Sequence, residues 1–584
     1  MQTTVPATSP QGDRVPFRTA LSPLFQRRFY DGWRLFALAV ALLVLVPLSV
    51  LAFSWLRPAG EIWQHLRETV LARLLLNPLV LVAGVAAGTL VLGISLAWLT
   101  AVCDFPGRRF FSWALLLPLA MPTYVLAFVF LGLLDFAGPI QSAWRAWAGA
   151  QAPFPAVRSA GGIIAVISLA LYPYVYLLAK NAFETQGKRA LEAAESLGCS
   201  PLEGFFRVAL PMARPWIGGG LLLVLMEALA DFGAVSIFNF DTFTTAIYKA
   251  WFGFFSLAAA AQLASLLVAL VFLLFVLEER LRSRRCFTLP RQQGTGERLR
   301  LRGWKAGGAF ALAAGVLIVA FVIPVAQLGA WALASFAEEF NPRYLGMLGR
   351  SVLLGLAAAL LITLTALILS YGSRRHPDAP TRALVRAANL GYALPGAVLA
   401  VGIFIPLAAL DNLILDAVEH GWGVRTRPLL QGTVLIMLLA YLVRFLATGF
   451  KPVDSAMHRV TPSLDEAAQL MGLRGPGILA RVHLPMLRGG LLTAATLALL
   501  DVMKEMPITL MTRPFGWDTL AVKIFELTSE GEWERAALPA VALVLAGLAP
   551  ILLLMRHAER SGEAGGGERE TQIIRCRKAA NDRP

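Results

Sequence analysis

Glu192-Ala193-Ala194-Glu195-Ser196-Leu197-Gly198, followed by Val208-Ala209-Leu210-Pro211, returns 274 residues later as Glu466-Ala467-Ala468-Gln469-Leu470-Met471-Gly472, followed by Val482-His483-Leu484-Pro485. One Glu-Ala-Ala is a common helical tripeptide. Two copies with the same downstream glycine and Leu-Pro, at one offset, are the signature of an internal repeat. The 584-residue chain is 57% hydrophobic and only 15% charged, with a mean hydropathy of +0.64, which places it among polytopic membrane proteins.

Stretches with no Asp, Glu, Lys or Arg cover 35–56, 74–102, 110–134, 159–179, 257–277, 306–337, 351–373, 387–410 and 536–555. Each is long enough to cross a hydrocarbon core, which takes roughly 20 helical residues. Three further segments, 216–238, 428–450 and 489–510, carry internal or terminal charge. Helices or closed barrels alone satisfy their backbone in lipid, and these segments lack barrel alternation. The expected fold is therefore all-α, with about twelve transmembrane helices in two parallel repeats of six.

Basic residues concentrate in alternate loops, which puts both termini, the connector and both Glu-Ala-Ala loops on the cytoplasmic side. Much of the +15 net charge then serves topology and attraction to anionic lipid, and it implies no nucleic-acid partner. Cys103, Cys199, Cys286 and Cys576 all fall on that side, so no disulfide is expected. The first 30 residues have no apolar core ending in a cleavage site, so the first helix reads as a retained span. The expected organisation is a cytoplasmic tail over 1–32 and a first repeat over 33–280, with its core at 74–280 and its loop at 181–214. A basic connector covers 281–305. The second repeat covers 306–556, with its core at 349–556 and its loop at 451–488, and a cytoplasmic tail follows at 557–584. Both tails read as disordered from composition.

Around Glu192 the residues suit a short helix that Gly198 ends by adopting positive φ. Ser200-Pro201-Leu202-Glu203 restarts one, with Ser200 as N-cap and Glu203 completing a capping box. Gly475-Pro476 restarts the second copy without the acidic partner. Leu210-Pro211 and Leu484-Pro485 are expected to stop the second short helix of each loop. Helix, glycine hinge, helix and proline stop make a rigid knob, and two knobs suit a partner with two equivalent grooves.

These motifs resemble those of the permease subunit of a binding-protein-dependent ATP-binding-cassette importer, in a fused two-repeat form. Tyr172-Pro173-Tyr174-Val175-Tyr176, Leu229-Ala230-Asp231-Phe232-Gly233, Phe243-Thr244-Thr245-Ala246-Ile247-Tyr248, Lys504-Glu505-Met506-Pro507, Arg513-Pro514-Phe515 and Asp518-Thr519-Leu520-Ala521 are similar to stretches of fused ferric iron permeases. Thiamine and aminoethylphosphonate permeases share the fused architecture. The resemblance implies the type I importer transmembrane fold in a bacterial inner membrane. It also implies ATPase coupling through Glu192, Ala193, Ala194, Gly198, Leu210, Pro211, Glu466, Ala467, Ala468, Gly472, Leu484 and Pro485. The implied partners are two ATPase subunits, which carry the ATP and Mg, and a periplasmic substrate-binding protein. The chain has no Gly-x4-Gly-Lys-Ser/Thr loop, no hydrolytic constellation and no expected cofactor, so no catalytic role is assigned to it.

Glu227 and Asp231, and at the same 274-residue offset Asp501 and Glu505, lie inside expected spans. Spacing of i and i+4 puts each pair on one helix face. A carboxylate there costs several kcal/mol, of order 3, unless it is paired, protonated or wet. The four acids read as a translocation route or gate for a cation, or as structural partners of a basic residue such as Lys504. His65, His376, His420, His458, His483 and His557 show no metal-site spacing and read as scattered surface histidines. A proton-coupled secondary transporter would also have repeats and membrane acids, but it has no need of paired knobs.

Overall fold

The computed structural model describes residues 32–56, 60–187, 192, 194, 196, 198–282, 298–423, 428–473 and 476–548. The two tails, Ala193, Gly475, Cys286, Cys576 and His557 lie outside the described residues. The membrane helices are α1 (Gly32–Phe53), α2 (Leu71–Ala101), α3 (Thr123–Leu134), α4 (Ala160–Ala182), α5 (Leu210–Ala230) and α6 (Leu257–Arg282). They continue as α7 (Trp304–Ala334), α8 (Pro342–Arg375), α9 (Gly396–Trp422), α10 (Val434–Met457) and α11 (Arg488–Lys504). Among the described residues ten helices are long and apolar enough to span, or eleven if the pair Leu479–Met486 and Arg488–Lys504, bent by 67°, counts as one. The expected twelfth span is helical over 533–548, here α12, and continues outside the described residues.

Several spans are broken where the sequence showed only an apolar run. In the first half the helix Arg108–Ala114 gives way to a 3-10 turn at Leu117–Ala120, then extended Met121 and Pro122, before α3 begins. The second half repeats this with helix Ala379–Ala388, a 3-10 turn at Asn389–Ala393, extended Leu394 and Pro395, then α9. Each proline lacks an N–H and disfavours helical geometry in the residue before it, so the chain re-enters the helix only afterwards. The span expected at 387–410 therefore starts later and runs on to Trp422.

Within each half the same three helices pack together: α2 with α4 and α5, and α8 with α10 and α11. In lipid this packing rests on close fit, since apolar transfer offers little. Gly93 of α2 and Gly220 of α5 both meet Val175 of α4; a Cβ on them would stand 2.7 Å from the Val175 Cβ and 3.0 Å from its Cα.

The outer helices are exchanged. α1 packs against the second half, on Ala379–Ala388 and α9, and Arg34 pairs with Asp378. α6 also lies on α9. Conversely, α7 and α12 cover the first half: fully buried Phe128 of α3 stacks with Trp331 at 6.3 Å and Trp533 at 6.4 Å between ring centroids. A Cβ on Gly547 would come within 2.3 Å of the Ala120 carbonyl oxygen. The six-plus-six division along the chain is thus not a division in space. The one sheet among the described residues is a two-residue parallel ladder pairing Cys103–Asp104 with Leu299–Arg300, which ties the end of the connector to the first half.

Phe128→Ala should therefore loosen the exchange of α7 and α12, lowering stability by about 2 kcal/mol through lost packing. Thermal unfolding of the detergent-purified chain, followed by tryptophan fluorescence, measures it.

Candidate functional site: a central cavity and two knobs

The helix that follows each Glu-Ala-Ala loop stops inside the protein. α5 ends at Ala230 and α11 at Lys504; Asp231 (φ −62°, ψ 129°) and Glu505 (φ −71°, ψ 117°) are extended, and short helices Gly233–Ile237 and Pro507–Thr512 follow. The helical i, i+4 relation expected for Glu227/Asp231 and Asp501/Glu505 does not hold, because the second acid of each pair lies past the helix end. That acid caps the next helix instead. Asp231 Oδ1 accepts from the Ala234 and Val235 N–H groups at 2.9 and 3.2 Å, and Glu505 Oε1 accepts from Ile508 N–H at 3.2 Å. The two backbone carbonyls are matched as well: Thr244 and Thr509 hydroxyls donate to Asp231 O and Glu505 O at 2.7 and 2.8 Å.

A compensating exchange accommodates the longer acid. Thr123, after Pro122, donates to Asp231 Oδ2 at 2.5 Å. The equivalent place after Pro395 is Gly396, where a Cβ would stand 2.5 Å from Glu505 Oε1. Glu505 also pairs with Arg444 of α10 (Nε to Oε2, 3.3 Å), and Arg444 donates to the Leu394 carbonyl at 2.5 Å. Lys504 crosses between the halves to donate to the Leu119 carbonyl at 2.9 Å. Both cations thus serve carbonyls in the broken stretches before α3 and α9.

All four acids line one cavity of about 380 Å³ between the halves, together with Arg444, Lys504, Tyr124, Tyr174 and Tyr392. Asp231 and Glu505 are committed to backbone caps, which leaves Glu227 and Asp501, one from each half, as the acids with side chains on the wall and no capping duty. No local pattern indicates that three tyrosines and Arg444 meet there, since they come from segments far apart in the chain. Among the described residues no cluster of His, Cys, Asp and Glu could hold a metal ion.

The knobs repeat closely at the backbone. Gly198 and Gly472 have φ of +84° and +83°, and nothing lies within 4 Å of a Cβ at either, so conformation rather than space calls for glycine. Cys199 N–H bonds Ala194 O and Leu473 N–H bonds Ala468 O, both at 3.0 Å, the long bond of a Schellman end. Ala194 and Ala468 are buried beneath the knobs, while Glu192, Glu466 and Ala467 are exposed. In the first knob the Ser200–Glu203 box forms, with Ser200 N–H and hydroxyl both donating to Glu203 Oε2 at 3.0 Å; these bonds hold the Glu203 carboxyl below its usual range. The second knob presents exposed Leu470 and Met471 beside its glycine.

The proline stops are not stops. Π-turns at Phe205–Ala209 and Leu479–His483 lead directly into Leu210–Pro211 and Leu484–Pro485, with each proline in the first helical turn after them. The wider turn gives the ring room and needs no N–H from it. The first knob runs on into α5 without a break, whereas the second bends at Leu487.

His483 is not a surface histidine: it is 1% exposed and its Nε2 lies 2.5 Å from Asp465 Oδ1. Burial pushes the Asp465 carboxyl up, but hydrogen bonds from His483 and Arg374 outweigh this and lower it. Asp465 is therefore held charged at neutral pH, and its contribution is lost only as the pH falls through that lowered value.

A hydrophobic bundle with a polar cavity between intertwined halves, and two equal knobs separated by an even number of spans, is the architecture of a membrane permease. Residues 89–285 match the family model for the binding-protein-dependent transport system inner membrane component. The chain is 26% identical, over 84% of its length and 90% of the relative's, to the Fe(3+)-transport system permease protein FbpB 2 of Haemophilus influenzae. A chain named as an ABC transporter permease, y4fN of Sinorhizobium fredii, is 26% identical over 81% of this chain and 85% of that one. PhnV of Salmonella typhimurium, named as a 2-aminoethylphosphonate transport system permease, is 32% identical over 27% of this chain and 58% of that one. Residues 89–285 thus resemble the permease component of such systems, and over most of its length the all-helical, double-length chain is similar to permeases of ABC importers.

Gly396→Thr should collide with Glu505, release Arg444 and open the second helix break, while Gly472→Ala should cost about 1–2 kcal/mol of local strain at the knob. Hydrogen exchange at 505–510 and at 470–473, respectively, should rise in the variants; unchanged protection would contradict these roles.

Proposed function

We propose that this chain is the membrane-spanning permease of an ATP-driven importer that carries ferric iron delivered by a periplasmic binding protein. Two ATPase subunits on separate chains dock on the two knobs, through Glu192, Ala193, Ala194, Gly198, Leu210, Pro211, Glu466, Ala467, Ala468, Gly472, Leu484 and Pro485. Nucleotide and Mg belong to those partners. The chain lies in the inner membrane with both termini cytoplasmic, as the basic loops favour. The observation that carries this reading is the pair of knobs with matching glycine and Schellman geometry on one polypeptide. Full-length similarity to an Fe(3+) permease supports the substrate.

In this reading the substrate crosses between the halves through the cavity, and Glu227 and Asp501 face it with carboxylate oxygen, the donor a hard cation prefers. Asp231 and Glu505 hold the walls by keeping the helix breaks capped. A route of this kind binds weakly enough to release, which suits two acids without a metal cage. The mixed charge of the cavity favours one second reading, 2-aminoethylphosphonate: its ammonium would face Glu227 and Asp501, and its phosphonate Lys504 and Arg444.

The test is ATP-dependent uptake by proteoliposomes holding the permease, its ATPase subunits and binding protein loaded with ferric ion or with 2-aminoethylphosphonate. Accumulation of iron alone is the expected result, and accumulation of the phosphonate alone replaces iron as the substrate. Glu227→Gln and Asp501→Asn should each slow uptake about tenfold, equivalent to about 1.4 kcal/mol, with ATPase binding intact. Full uptake by both variants would remove these acids from the route.

A further inference from the structure

The two knobs share a backbone but not an anchorage. In the second, the Asp465 carboxylate sits at a junction of three elements. Arg374, in the last turn of α8, donates to Asp465 Oδ2 through Nη2 at 2.7 Å and Nε at 3.1 Å. The same guanidinium uses Nη1 to bond the Met457 and Val460 carbonyls, at 3.2 and 2.7 Å, where α10 turns into the knob. The other carboxylate oxygen meets His483, in the π-turn that closes the knob's far arm. His483 packs edge-on against Tyr371 of α8, 5.5 Å between ring centroids, and Tyr371 packs on Trp33 of α1 at 5.0 Å. The entering arm, the returning arm, α8 and α1 are thereby joined through one cross-brace, in which His483 is buried and Arg374 and Asp465 are partly exposed, beside a cavity of about 560 Å³. In the first repeat the positions of Asp465 and His483 are held by Leu191 and Ala209, which can make no such bonds.

We propose that Asp465, clamped by Arg374 and His483, is a positioning residue that makes the second knob the rigid transmitter of the pair, passing displacement of the knob directly to α8. The first knob, continuous with α5, meets α2 through aromatic packing, Phe205 of its π-turn lying edge-on to Trp98 with 4.5 Å between ring centroids, and this contact carries no charged fork. A charge-assisted Arg–carboxylate fork is geometrically stiff, whereas neither an alanine nor a leucine side chain can form one. Asymmetry of coupling is thus built into a chain whose knobs look equivalent in sequence. This rests on the importer reading for its consequence and on geometry alone for its existence.

Two measurements separate those parts. Hydrogen exchange of the purified permease, with no ATPase present, should be at least about tenfold faster across 462–470 in Asp465→Asn than in the natural chain, with 198–209 unchanged. Equal protection in the two proteins overturns the brace. In the reconstituted complex, Asp465→Asn and His483→Ala should keep their ATPase subunits through purification yet deliver at least about fivefold less substrate per ATP hydrolysed, and Asp465→Glu should restore much of it. Unchanged stoichiometry of transport, or a loss that simply follows dissociation of the ATPase, overturns the positioning role. Should the natural chain fail to recruit an ATPase at all while the exchange difference persists, the importer reading falls and the brace stands. His483→Gln, which keeps a donor toward Asp465, supplies the milder variant and should lie between His483→Ala and the natural chain in both measurements.

Discussion

A helix interrupted inside a bilayer leaves backbone N–H and C=O groups that lipid cannot satisfy, each at a cost of several kcal/mol, of order 3. This constraint governs the centre of the molecule. Asp231 and Glu505 supply acceptors to the helices that resume after the breaks, and Thr244 and Thr509 return donors to the carbonyls left behind. Arg444 and Lys504 do the same for the Leu394 and Leu119 carbonyls in the broken stretches before α9 and α3. Four breaks converge on one place, and the polar groups that repair them form the wall of the cavity. The cavity's charge is therefore first a consequence of broken helices.

The halves are related as repeats yet depend on each other. α1 lies on the second half, α6 touches both halves, α7 and α12 lie on the first, and Phe128 is enclosed by Trp331 and Trp533 from the far half of the chain. Fusion into one polypeptide guarantees the two copies in equal number and allows them to diverge. The divergence is visible where Thr123 and Asp231 face Gly396 and Glu505, a smaller residue on one side answering a longer one on the other. It is visible again where Leu191 and Ala209 stand against Asp465 and His483. In both cases the side chains are reassigned between equivalent positions of the repeat.

The spans and the knobs were legible because their signals are local: an uncharged run reports a lipid-facing helix, and glycine after Glu-Ala-Ala reports a positive-φ end. Pro122 and Pro395 lie inside uncharged runs that read as unbroken spans, and only the folded chain shows that each divides its run. The acids at 227, 231, 501 and 505 were identifiable as unusual by their setting. Their roles were not, because an i, i+4 argument assumes a helix that in fact ends at Ala230 and Lys504. His483 was misread for a related reason: nothing near it in sequence reveals that Asp465 and Arg374 enclose it.

By itself, then, the sequence determined an all-helical membrane protein of two repeats, each with a glycine-hinged knob, since hydropathy and backbone propensity act over a few turns of chain. Tertiary structure alone decided which helices exchange between halves, which acids cap and which face the cavity, and which knob is braced. Those outcomes depend on packing and hydrogen-bond pairing between residues as far apart as Leu119 and Lys504, and no local property of the chain encodes such distances.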